Sequence, residues 1–186
     1  MSFVSDYLSQ TVSIIHALDC DEIEHVVSAL HSVKTSEGRL FLAGSGGNAA
    51  SAQHAAADFR KFCGIEAYSV SDNICSLTAD TNDISWAESY STWLSFSRFS
   101  QDDCLMVLSV GGGSQSISQN LVQAMMLAKR RDGTILSIVG RNGGEAARLS
   151  THLILIPPLY DLITPHTEEI QTVLLHLLAF HPSLQL

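Results

Sequence analysis

The chain is 186 residues long, 46% hydrophobic and only 16% charged, with a formal net charge of -9. That length fits one domain with a real core and no need of staples. The acidic balance argues against nonspecific binding to nucleic acid or anionic membrane, so an anionic substrate needs a local site of amides and hydroxyls.

Residues 3–18 and 23–33 place Phe3, Val4, Tyr7, Leu8, Ile15 and Leu18, then Ile23, Val26, Val27, Leu30 and Val33, at helical spacing. Asp19 and Asp21 supply cap chemistry between the two helices, and Gly38 closes the second. This hairpin, within 1–36, cannot bury both its faces in a two-layer domain. Together with the low charge fraction, that predicts packing against another subunit. Leu40 to Ala43 reads as a strand running into Gly44-Ser45-Gly46-Gly47-Asn48 and then an alanine-rich helix. Glycines at such a turn let the backbone approach a ligand, and the free N–H groups of the helix N-terminus favour an anion. His54 and Asp58, four residues apart, share one helix face. Alone, Gly44-x-Gly46-x-x-Ala49 also satisfies the loose dinucleotide fingerprint, with Asp72 as its ribose acid. The His54–Asp58 pair alone also reads as a surface ion pair of about 0.3–0.5 kcal/mol.

Glu66 to Val70 is a second strand, and a short helical patch leads to Thr78–Asp83. Residues 85–99 set Trp86, Tyr90, Trp93, Leu94 and Phe96 at helical spacing, as core. Cys104 to Val110 is a third strand, apolar enough for burial on both faces. It ends in Ser109-Val110-Gly111-Gly112-Gly113-Ser114-Gln115-Ser116, which opens a helix over 115–131. Thr134–Val139 is the fourth strand, Gly140–Gly144 its turn, 144–149 a short helix and His152–Ile156 the fifth strand; Thr164-Pro165 starts a last helix ending near Phe180. Five strands alternating with helices predict an α/β domain over 1–186, a parallel sheet flanked by helices with right-handed crossovers. Two glycine turns at carboxyl ends of parallel strands converge on one ligand at a switch point in strand order. Cys20, Cys63, Cys75 and Cys104 show no Cys-x-x-Cys spacing and read as reduced, mostly buried thiols. With no signal region and no apolar run long enough for a bilayer, a cytoplasmic protein is expected.

GSGGNAASAQH resembles the sugar isomerase (SIS) domain, specifically its phosphoheptose isomerase branch, whose version reads approximately GNGGSAADAQH. The match continues through Asn82-Asp83, Ser109–Ser114, Gly140–Gly144, Thr164-Pro165-His166-Thr167-Glu168-Glu169 and His176. The resemblance implies a three-layer SIS fold and a homotetramer with active sites at subunit contacts. It implies isomerisation of sedoheptulose 7-phosphate to an aldoheptose 7-phosphate for heptose precursor synthesis. Asp58 and His176 become the acid/base pair; Ser45, Gly46, Gly47, Asn48, Asn82, Asp83, Ser109, Gly111, Ser114 and Glu168 become substrate contacts. Zinc held by His54, Asp58, Glu168 and His176 is implied as cofactor. This chain departs from the family pattern in having Asp58 for glutamate, Asn48 and Gly111 for phosphate-binding serines, Ser51 for aspartate and Glu168 for glutamine. Eight helical residues from Glu168 to His176 rise about 12 Å, so either Glu168 starts an irregular helix or the ligands come from different subunits. Neither the 44–48 nor the 111–116 loop contains Lys or Arg, so phosphate is expected to rest on hydroxyls and amides. The competing reading is a non-catalytic SIS protein that binds a phosphosugar or the replication initiator; the retained His54, Asp58 and His176 argue against it.

Overall fold

A computed structural model describes residues 2–186. Five strands, β1 (Arg39–Gly44), β2 (Glu66–Ser69), β3 (Cys104–Ser109), β4 (Thr134–Val139) and β5 (His152–Leu155), form one all-parallel sheet in the order β2-β1-β3-β4-β5. Each strand sits where the apolar runs place it. β3 and its neighbours are buried along nearly their whole length, because helices cover both faces. The chain steps from β1 outward to β2 and then back across to β3, so the order reverses between β1 and β3.

One face carries α2 (Cys20–Thr35), α3 (Gly47–Cys63) and α8 (Ile163–Ala179); the other carries α5 (Ser89–Phe96), α6 (Gln119–Arg130) and α7 (Gly144–Leu149). Two apolar clusters, one per face, make the three-layer sandwich. α1 (Phe3–His16) leans on α8 through a polar knot and enters the core at Ile14. Tyr7 and Thr11 hydroxyls donate to the Glu169 carboxylate, each at 2.8 Å, and buried His166 sets Nδ1 2.7 Å from Glu169 and Nε2 3.0 Å from the Gln10 side chain. Asp19 caps α2 by accepting from the Asp21 and Glu22 amides, as its residue type predicts.

Several boundaries differ from expectation, each for a local reason. α6 begins at Gln119, not 115, because the Ser114 hydroxyl captures the Ser116 and Ile117 amides and Ser118 turns left-handed at φ 54°. Side-chain bonds of this kind compete with helix formation. The patch after β2 is a full helix, α4 (Ile74–Asp83), capped by Asn73, and it takes in Asn82 and Asp83. The aromatic segment is helical only over α5; Tyr90 and Leu94 are core, whereas Trp86 and Phe96 stay exposed. Gly38 does not supply the left-handed closing residue of α2; Glu37 does, at φ 57°. Gly38 is required instead because any side chain there would strike the Asp102 carbonyl. Cys63 and Cys104 are buried and Cys20 and Cys75 exposed, so only half the thiols are buried as expected. Among the described residues no helix is long and apolar enough to cross a membrane.

Candidate functional site

A cavity of about 480 Å³ opens at the carboxyl ends of β1, β3 and β4, at the reversal in strand order. Such a crevice is where open α/β sheets bind ligands. Ser45 and Asn48 enter it from the first glycine turn, and Ser109, Gly111, Gly113 and Ser114 from the second. Arg141 and Asn142 come from the third turn, and Thr164 and Glu168 from the start of α8. The site is braced from below. Asn120, fully buried on α6, donates to the Ser45 hydroxyl at 3.0 Å, and Gln171 on α8 donates to the Ser109 and Ile138 carbonyls at 3.3 and 2.7 Å. The Gly112 amide donates to the Ser109 hydroxyl at 3.0 Å, fixing the entry of the second loop.

The second and third turns interlock. A side chain at Gly112 would strike the Gly143 carbonyl, and the Glu145 and Ala146 amides at the start of α7 donate to Gly113 and Gly112 carbonyls at 3.0 and 2.9 Å. α7 thus spends its N-terminal donors on holding the cradle.

Ser45, Asn48, Ser109, Gly111, Ser114 and Glu168, all expected at the substrate, line this cavity. Gly46 and Gly47 shape its edge without lining it. A Cβ at Gly47 would stand 3.0 and 3.2 Å from the two Glu168 carboxylate oxygens. The N-terminus of α3, expected to receive the phosphate, therefore has a carboxylate beside it already, a placement its dipole favours. Asn82 and Asp83 do not reach the cavity: they lie exposed at the end of α4, where the Asn82 amide donates to Asp83 at 2.7 Å. Asp72 is exposed beyond β2 and is not among the lining residues, so the dinucleotide reading loses its ribose acid.

Arg141, Asn142 and Thr164 are polar cavity residues that the sequence argument did not name as contacts; the signal for the first two was a third glycine turn at the end of the next strand. The Asn48 side-chain oxygen is buried with no hydrogen-bond partner. Leaving it so costs about 1–3 kcal/mol, which a hydrogen-bond donor entering the cavity would offset.

α3 and α8 run side by side in parallel, and past the cavity they bring three titratable groups together. Nε2 of His54 lies 3.4 Å and Nε2 of His176 3.6 Å from Oδ2 of Asp58. One ligand atom from each lies within 4.8 Å of the others. Two imidazoles and a carboxylate at this spacing fit zinc, whose tetrahedral ligands at about 2.0–2.2 Å stand roughly 3.3 Å apart. Glu168 does not join them. α8 is continuous through it, so the helical rise carries its carboxylate to Gly47 instead. The four-residue zinc set is corrected, within one chain, to these three.

The SIS domain family model matches residues 5–140. The phosphoheptose isomerase of Helicobacter pylori strain 26695 is 30% identical over 165 residues, 85% of this chain and 81% of that protein. The solved phosphoheptose isomerase of Neisseria gonorrhoeae superposes with a TM-score of 0.82 at 22% identity, over 95% of this chain and 94% of that one. The NanR protein of Vibrio vulnificus, solved with ManNAc-6P, superposes at 0.65 and 18% identity, over 96% of this chain and 61% of that one.

Proposed function

This chain belongs to the SIS domain family, in its phosphoheptose isomerase branch, and we propose that it isomerises sedoheptulose 7-phosphate to an aldoheptose 7-phosphate in the cytoplasm, for heptose precursor synthesis. The observation that carries the reaction is the convergence of His54, Asp58 and His176 alongside a cavity lined by hydroxyls, amides and one arginine. Asp58 takes a proton from C1 of the ketose and returns it at C2, while His176 moves a proton from O1 to O2, so the enediolate forms and collapses with no net loss. General acid–base work of this kind is worth roughly 10²–10⁴-fold. His54, Asp58 and His176 are also the set that would hold zinc, which would supply Lewis acidity at the carbonyl; with the ion bound, Asp58 has to be free of it to take the proton. In the cavity, Arg141, Ser109, Ser114 and the loop amides bind the phosphate, and Asn48 and Glu168 accept from sugar hydroxyls.

The homotetramer and its shared sites also belong to this proposal. The rise from Glu168 to His176 is about 12 Å, whereas the eight single bonds from C1 to phosphorus of an open-chain heptose 7-phosphate span roughly 10 Å. A substrate with its phosphate in the second loop falls short of that distance. This supports a site in which the cavity of one subunit faces the cluster of another.

Incubating the purified protein with sedoheptulose 7-phosphate and following aldose formation tests the reading. Turnover is expected, and Asp58→Asn and His176→Ala should each lower kcat by about 10²–10⁴-fold with little change in KM. Binding of the phosphosugar without turnover would favour a regulatory SIS protein instead.

A further inference from the structure

We propose that Glu22, His25 and His152 form a second divalent-metal site, for a transition ion such as Zn²⁺, that clips α2 to the edge strand β5. None of the three lines the cavity or belongs to the His54–Asp58–His176 cluster, so this site stands apart from the isomerase reading. Glu22 and His25 are three residues apart on α2 and so face the same way. His152 is the first residue of β5, the outermost strand, against which α2 packs.

One ligand atom from each residue lies within 4.8 Å of the other two. Glu22 turns its carboxylate to His25, with Oε1 3.7 Å from Nδ1. That is beyond the roughly 2.7–3.2 Å of a hydrogen bond, yet near the roughly 3.3 Å between ligand atoms across a tetrahedral zinc. The His25 and His152 rings lie 5.7 Å apart and only 29° from parallel. His25 and Glu22 side chains are 58% and 42% exposed, free to close the remaining distance, while half-buried His152 is the anchor. Two imidazoles and one carboxylate select zinc, cobalt, nickel or copper over magnesium or calcium, which prefer all-oxygen sets. The ion joins the amino-terminal hairpin to the far edge of the sheet, two elements otherwise held by apolar contact.

The test is calorimetric titration of the metal-stripped protein with Zn²⁺ alone, in a His176→Ala background that disables the other cluster. The His176→Ala protein should keep one zinc-binding event, and zinc should raise its Tm. Adding His25→Ala should abolish both effects, and adding Glu22→Gln instead should weaken them. His25 is exposed, so the metal-free Tm and, in the otherwise native chain, isomerase turnover should be unchanged by its loss. No zinc binding by His176→Ala would overturn the proposal. So would equal binding and an equal Tm rise in the His25→Ala, His176→Ala protein, which would place the ion elsewhere.

Discussion

Arg141 reaches the cavity from a turn whose backbone it holds at φ 52°, a conformation most side chains avoid. It is the lone cationic side chain of the lining, so Arg141→Gln should raise KM for the phosphosugar by about 10- to 100-fold, the loss of a charge-assisted hydrogen bond of roughly 1.5–3 kcal/mol. kcat should hardly move, and added salt should weaken substrate binding less in the variant than in the parent. Steady-state kinetics at two ionic strengths would show this; an unchanged KM would exclude Arg141 from the phosphate. Ser114→Ala should also raise KM, but for two reasons. Its hydroxyl oxygen already accepts from the Ser116 and Ile117 amides, so removing it releases the loop as well as a phosphate donor. The residue types at Ser45, Asn48 and Ser109 were legible in sequence because motif and strand end coincide. Arg141 was not, since only the sheet order brings the third turn beside the second.

Among the elements, β1 and β3 are braced below the site by an ion pair between half-buried Arg39 and buried Asp103. Asp103, 2% exposed, accepts from the Arg39 backbone amide, from Arg39 Nε at 3.0 Å and Nη2 at 2.7 Å, and from the amide and hydroxyl of Ser100. Burial pushes its carboxyl up, but the hydrogen bonds from Arg39 and Ser100 outweigh this and hold it below the usual carboxylate range. The ordinary aspartate value is about 3.9. A carboxyl depressed in the fold contributes stability that is complete above that value and is withdrawn as pH falls through the lower one. Asp103→Asn should therefore cost about 1.5–3 kcal/mol at neutral pH, by weakening the hydrogen bonds to a charged group, while Arg39 keeps the Ser97 and Arg98 carbonyls. Its denaturant midpoint should also vary less with acid than the parent's. Neither residue stood out in the sequence, because Arg39 and Asp103 are 64 apart and meet only through the pairing of β1 with β3. The strands themselves were legible from their apolar runs. The starts of α4 and α6 were not, because Asn73 and Ser114 decide them, each by a side-chain oxygen that accepts from two amides.

For the whole molecule, α1 presents Phe3, Val4, Leu8, Val12 and Ile15 at 41–73% exposure, while α2 buries its own stripe. The sequence expected a surplus face on the hairpin, and the structure assigns that surplus to α1. Val173 and Leu177 on α8, and Phe180 just past its end, add exposed apolar surface on the element that carries His176. Light scattering at micromolar concentration should return a tetramer mass, and Leu8→Asp should lower it; a monomer mass for the unaltered chain would refute the assembly. Turnover should fall with the mass if sites are shared between subunits, a dependence no single-chain site would show. The interlocked turns at Gly112 and Gly143 carry a consequence for descent. The Gly143 carbonyl fills the space a side chain at Gly112 would need, and the Gly111 and Gly113 carbonyls fill that of a side chain at Gly144. The two turns are inherited as one object, so drift at either is tolerated only with a matching change some thirty residues away. New substrate specificities should thus arise at Gly111, Ser114 and Arg141, whose side-chain positions face the cavity, while the glycines behind them stay fixed.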